Sequence, residues 1–307
     1  MTMRQRLNLL LFISVLLVVA MGFAGEGESG LSDIDGAGDF LRFNDTGGVG
    51  SRIETAIADY TRVEDGTKVS LIGAIHVGDA GYYETLSKDF ERYDALLYEL
   101  VLEDPSDLSA NDSDSAVSFF QRGMKDMLGL EFQLDAIDYT KENFVHADMD
   151  ADTFRREQRK KGESLLSFML SSMMAGMKQQ AEGKGAQLSP LHLLAAFASE
   201  DRSLTLKYLL AREFDSMDYM MDELDGEQGG GTVLLSGRNK VAIRVLREQI
   251  GLGNKHLGIF YGAAHLPDLE RRLLKMGFRH DKTNWLVAWD IKGKKQQKPV
   301  MKIQSED

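Results

Sequence analysis

Apolar residues in this chain fall into short, nearly continuous runs separated by stretches of helical periodicity, the pattern of a layered α/β protein. Thr55–Val63 and Lys68–Val77 flank Glu64-Asp65-Gly66-Thr67, and Asp-Gly between two such runs predicts a hairpin. The second run, VSLIGAIHV, is almost wholly apolar, as in a central strand covered on both faces. Tyr82, Tyr83, Leu86 and Phe90 give Asp79–Arg92 one apolar side and predict a helix, with Asp79 as its cap. Asp94–Leu102 reads as a second buried strand. Phe119, Phe120, Met124, Met127 and Leu128 recur at helical spacing. A further helix around Phe132–Tyr139 leads to a short strand at Asn143–Ala147.

Beyond residue 150 the pattern changes. Leu165, Met169, Met173 and Met177 are spaced by four, with Leu166, Leu170 and Met174 beside them, and form an apolar stripe. Such a stripe serves as helix core or as an adaptable lid that takes peptides. Pro190 fits the first turn of a further helix, and the glycine-rich Asp225–Gly231 ends the helical region. Strand and helix signals then return: a strand at Thr232–Leu235, a helix at Arg238–Ile250, a buried strand at Leu257–Gly262, a helix at Leu266–Met276, and a strand pair at Phe278–His280 and Trp285–Ile291. The fold this predicts is a central mixed, largely parallel sheet flanked by helices, carrying a helical Met-rich insertion. Residues 51–150 and 231–292 form a discontinuous core, 151–230 the insertion, 25–50 a flexible lead-in and 293–307 a polar tail.

Arg4 and Arg6 precede an apolar run from Leu7 to about Phe23, and Gly22 and Ala24 occupy the small positions a signal peptidase reads. Residues 1–24 thus read as a signal peptide. The alternative is an uncleaved anchor, because the run is close to bilayer-spanning length. Either sends the rest across the membrane, to the periplasm or outside in a bacterium, with membrane association only through residues 7–24. The formal charge is −12, and losing Arg4 and Arg6 makes it −14, which argues against nucleic acid. With no cysteine, disulfides, thiolate metal sites and a cysteine nucleophile are excluded. No Gly-x-Ser-x-Gly elbow occurs, and Gly226–Gly231 lacks the lysine of a phosphate loop.

Two places match each other. SLIGAIHV (70–77) and IFYGAAHL (259–266) are both apolar strands ending in Gly-x-x-His and running into a helix. Side chains at strand carboxyl ends of open α/β sheets face the ligand crevice. Gly73 and Gly262 allow close approach there, and His76 and His265 offer nitrogens for a metal or a proton. Histidines that bond only locally would give the same spacing. Glu99 lies inside the apolar run Asp94–Leu102, where a carboxylate needs a cation partner; the other reading is a surface glutamate at a strand edge. Arg238 opens a helix after Ser236-Gly237. It either pairs with Glu99, grips a substrate carboxylate, or is a solvated first-turn residue.

These segments resemble the TraB/PrgY and TIKI group, which is related to ChaN-like and erythromycin-esterase-like proteins. The resemblance rests on LIGAIHVGDAGYYETLSKDF, YDALLYEL, FVHADMDADTFRRE, LLSGRNKVAIRVL and GIFYGAAHLPDLERRLLKMGF, which run in order across about residues 69–280. It implies a peptidase-type site of His76, Glu99, Arg238 and His265 and a divalent metal, manganese or cobalt; two imidazoles and a carboxylate also suit zinc. In that reading His76, His265 and Glu99 are ligands, Arg238 stabilises negative charge, and the substrate is a peptide or small molecule. His146 and Asp148 lie in a matching segment and are expected to support the site, as is Asn239, which stands where many members carry aspartate. The ChaN likeness allows a non-catalytic haem- or metal-binding protein, with Tyr261 as the nearest axial ligand or simply as core; a peptide-sequestering binder is the third option. His192, His256 and His280 read as peripheral.

Overall fold

The computed structural model describes residues 40–100, 128–161, 195–196, 198–212 and 233–292. The signal-like segment, the Met stripe, the helix expected around Phe119–Leu128 and the polar tail lie outside them. The strands are β1 (Leu41–Asn44), β2 (Arg52–Arg62), β3 (Lys68–Ala74), β4 (Val77–Asp79), β5 (Ala95–Tyr98), β6 (Leu130–Phe132), β7 (Phe144–His146), β8 (His256–Gly262) and β9 (Phe278–Asp290). The helices are α1 (Ala80–Asp89), α2 (Gln133–Ala136), α3 (Ala151–Lys161), α4 (202–212), α5 (Arg238–Gly251) and α6 (Leu266–Lys275). No helix among the described residues is long and apolar enough to cross a membrane.

Seven strands form one mixed sheet, and four of them, in the order β3-β8-β5-β7, are parallel. β2 runs antiparallel to three partners. β9 follows one of its edges from Arg52 to Arg62, while β1 and then β3 share the other. The β2–β3 hairpin forms where the Asp-Gly signal places it, with Gly66 at φ 70°. Gly73 marks the junction of β1 and β3: a Cβ there would stand 3.2 Å from the Phe40 carbonyl oxygen and 3.3 Å from that of Ala56.

Both faces of the sheet are covered, which explains the near-continuous apolar runs. Ile72, Leu96 and Phe260 meet Tyr82, Tyr83, Leu86 and Phe90 of the α1 layer on one side. Leu71, Leu97, Ile259 and Tyr261 meet Ala242, Leu246, Leu266, Leu269 and Leu273 of α5 and α6 on the other. Part of the insertion packs on the first side, since Ala196, Leu206 and Ala211 belong to that cluster. Buried Lys207 of α4 reaches Asp79 at 2.5 Å and the Asp290 carbonyl at 3.2 Å.

Four local expectations change. The lead-in expected over residues 25–50 carries β1 at Leu41–Asn44, paired with β2. Asp79 stands before α1 but makes no capping bond; its carboxylate is taken by Lys207 and by the backbone N–H of Asp290. Val233–Gly237 is a wide helical turn, not a strand. Its apolar run is too short to separate strand from helix by period, and both edges of β8 already carry partners. The two final strands are one, because β9 pairs β2 throughout, with two register shifts absorbing the polar middle.

Candidate active site

The topology brings the carboxyl ends of the four parallel strands together, at the place where the chain order departs from the spatial order: β8 comes last of the four and lies between β3 and β5. His76 follows β3, Glu99 follows β5, Asp148 follows β7, and His265 follows β8. Arg238 opens α5 beside them.

Glu99 is the hub. Its Oε1 lies 2.8 Å from Arg238 Nη2 and 3.5 Å from His265 Nε2, and its Oε2 accepts the Gly262 backbone N–H at 2.6 Å. A side chain at 262 would crowd that oxygen, the hypothetical Cβ standing 3.3 Å away. Burial alone would raise the Glu99 carboxyl, but Arg238 and then His265 outweigh it and hold the group well below the usual carboxylate range. Arg238 also forks onto Asp148, with Nε to Oδ1 at 2.9 Å and Nη2 on Oδ2. Burial opposes its charge, yet the two carboxylates more than compensate and raise its pKa. Nη1 is left without a bond to any described residue.

His265 is fixed on every side. Its Nδ1 stands 2.7 Å from Asn239 Oδ1, and the ring meets Tyr261 edge-on at 5.3 Å. The Asn239 amide orientation follows from its other contacts: Nδ2 faces the His265 carbonyl at 3.2 Å and Asp268 Oδ2 at 2.9 Å, both acceptors only. Oδ1 is therefore the acceptor for His265 Nδ1–H, and Nε2 is the ring nitrogen turned toward Glu99. An aspartate at 239 would accept from the ring but face Asp268 as a like charge. The amide thus links the ring to the carboxylate of Asp268, which Arg272 pairs at 2.7 Å.

His76 is different. Its ring is exposed, while its backbone is held by three consecutive carbonyl bonds: Ile75 O to the Tyr83 hydroxyl at 2.8 Å, His76 O to Gln133 N at 2.9 Å, and Val77 O to Trp289 Nε1 at 2.6 Å. Although the ring edge reaches solvent, protein surrounds the rest, and this desolvation lowers its pKa. Glu99 opposes that shift, and Arg238 and His265 add to it. The ring is thus neutral near pH 7 and sits within the electrostatic reach of the other three.

The expected set of His76, Glu99, Arg238 and His265 is therefore gathered at one end of the sheet. Asp148, Asn239 and Gly262 touch its members. Gly73 serves backbone packing instead, and His146 turns away, its Nε2 standing 2.6 Å from the Leu100 carbonyl oxygen. Tyr261 is core: its hydroxyl donates to the Ala147 carbonyl at 2.6 Å and is fully buried, so it offers no axial ligand. Sequence reading missed Gln133 and Asp268. Gln133 carried no signal in a polar-apolar mixture, whereas Asp268, one turn into the helix after the second motif, could have been found by its position. A hollow lined by Tyr83, Glu84, Lys88, Glu91, Glu131 and Lys141 contains none of these groups.

The donors suit a divalent cation in part. A 3.5 Å separation between His265 Nε2 and Glu99 Oε1 is long for a charge-assisted hydrogen bond. It is close to the ~3.4 Å expected between two ligands of one tetrahedral ion with ~2.1 Å bonds. Among the described residues no three acidic or imidazole groups converge into a ligand set, so this pair would need water or substrate to complete the coordination of an ion. Comparison with family models, curated proteins and solved structures finds no match.

Proposed function

We propose that the chain is an exported hydrolase of the TraB/TIKI type that cleaves amide bonds in peptides at the carboxyl end of its parallel strands. The observation that carries the reading is the convergence on Glu99 of a guanidinium, an imidazole and a backbone N–H, the first from the start of α5 and the other two from the Gly262–His265 turn. A structural ion pair needs one partner, and this carboxylate has three, beside a second imidazole left open to solvent.

His265 Nε2 and Glu99 Oε1 are the atoms that would hold a divalent cation, with water as the further donor. Bound there, a zinc, manganese or cobalt ion would lower the pKa of a water toward neutrality and polarise the substrate carbonyl. The chain's own groups account for the remaining chemistry. His76, neutral and facing the crevice, accepts the proton lost when water oxygen bonds to the amide carbon. Arg238 Nη1, with no bond to a described residue, is the donor for the negative charge that builds on the carbonyl oxygen. The proton on His76 then passes to the leaving nitrogen as the C–N bond breaks, which returns the imidazole to its starting state. Glu99 is too acidic to act as the base, so its role is to hold Arg238 and His265 in place.

The test uses the purified full chain, a peptide library and metal analysis. The reading expects new amine termini, loss of cleavage on chelation, and recovery with manganese, cobalt or zinc. Undiminished cleavage after full demetallation would remove the metal from the proposal, and absence of cleavage in metal-loaded protein would remove the hydrolase.

A further inference from the structure

The two amides near the histidines are not equally used. Asn239 has every polar atom bonded. Gln133 is 6% exposed, donates from Nε2 to the Tyr139 hydroxyl at 2.9 Å, and has a buried Oε1 with no partner among the described residues. A buried carbonyl oxygen left without a bond costs roughly 1–3 kcal/mol and calls for a donor.

The backbone shows which donor. β4 and β6 form a two-stranded antiparallel ribbon with Val77 opposite Phe132. The next pair outward along this ladder is His76 and Gln133, and the Gln133 N–H to His76 O bond at 2.9 Å extends the ribbon to them. The carboxamide therefore lies beside the imidazole. It raises that ring's affinity for a proton, although the two stop short of a formed hydrogen bond. Rotation of the exposed ring would complete the bond. Tyr139 is itself buried, and burial pushes its phenol above the ordinary value, so its hydroxyl stays intact as the acceptor for Nε2.

We propose that Gln133 is a positioning residue for His76, its Oε1 accepting one imidazole N–H so that the other ring nitrogen presents its lone pair to the crevice. Gln133 then does for His76 what Asn239 does for His265, from a different element. The inference deepens the hydrolase reading by saying how His76 is held ready as acceptor. Its test reads the ring directly, so it can fail while that reading stands.

The experiment is nitrogen NMR of the full chain labelled in its histidines, without added metal, above the pH at which the rings lose their charge. His76 is assigned by the signal lost in His76→Gln. The wild-type ring should show one dominant tautomer. Gln133→Met, of similar volume without the acceptor, should shift it toward the mixture of free imidazole and lower kcat about 10–100-fold, as removal of outer hydrogen-bond partners does, with KM little changed. Gln133→Glu keeps an acceptor at the same place and should keep the wild-type tautomer. A mixed tautomer in the wild type, an unchanged ratio in Gln133→Met with a native-like spectrum, or a reversed tautomer in Gln133→Glu would each overturn the assignment, the last because the amide would then be donating to the ring.

Discussion

The two Gly-x-x-His ends carry the same signature and are held in opposite ways. At His265 the side chain is fixed, with Asn239 on Nδ1, Glu99 opposite Nε2 and Tyr261 in an edge-on ring contact. At His76 the main chain is fixed through the carbonyls of Ile75, His76 and Val77, and the ring is left exposed. One imidazole is locked into the interior and the other is presented to solvent. The same four-residue spacing therefore specifies where an imidazole emerges and leaves its restraint to other segments.

That contrast yields ordered predictions for stability. Arg238→Met should be most damaging, because it leaves Glu99 and Asp148 buried without their shared cation. Breaking a buried pair costs about 3–5 kcal/mol, read as a lower urea midpoint at unchanged slope. Acid should expose the same pair more gently. Glu99 has a folded pKa below its unfolded value of ~4.3, so its contribution is present above that value and is lost as pH falls through the folded one. Wild-type stability should fall below about pH 4 more steeply than that of Glu99→Gln; equal slopes would mean the carboxylate is not held as described. Asn239→Leu should cost roughly 1–3 kcal/mol by stranding His265 Nδ1–H and freeing the His265 ring. His76→Gln should change stability by less than about 0.5 kcal/mol, as exposed positions do, while lowering the proposed peptide cleavage roughly 10²–10⁴-fold. If His76→Gln destabilised the fold as much as Asn239→Leu, the two ends would not differ in kind.

Much of this was legible in the chain, for specific reasons. The hairpin at Glu64–Thr67 and the runs ending at His76 and His265 are visible because a strand covered on both faces must be apolar at every position. The convergence of His76, Glu99 and His265 follows from the rule that parallel strands send their carboxyl ends to one side, whereas Arg238 was expected after a strand that is instead a helical turn. The restraints were hidden. Gln133 reaches His76 through a two-stranded ribbon that no periodicity announces, and Asp148 stood out only through the family resemblance, since in composition it matches the acidic residues around it. Asn239 looked like a lost charge, yet its amide is what allows Asp268 to sit behind it. β9 read as two strands because its middle is polar and exposed on the sheet edge, where alternation no longer reports burial. The turn at Val233–Gly237 was ambiguous at its length and was decided by which sheet edges were already taken.

β8 lies between β3 and β5, although it follows β5 by more than 150 residues in the chain. Until the later part of the chain is made, β3 and β5 therefore lack the strand that lies between them in the finished sheet. Each presents an unsatisfied row of amide and carbonyl groups in a greasy setting until residue 262 arrives. Such open edges invite pairing with other chains. A holding factor that shields strand edges is therefore expected to raise the yield of folded protein.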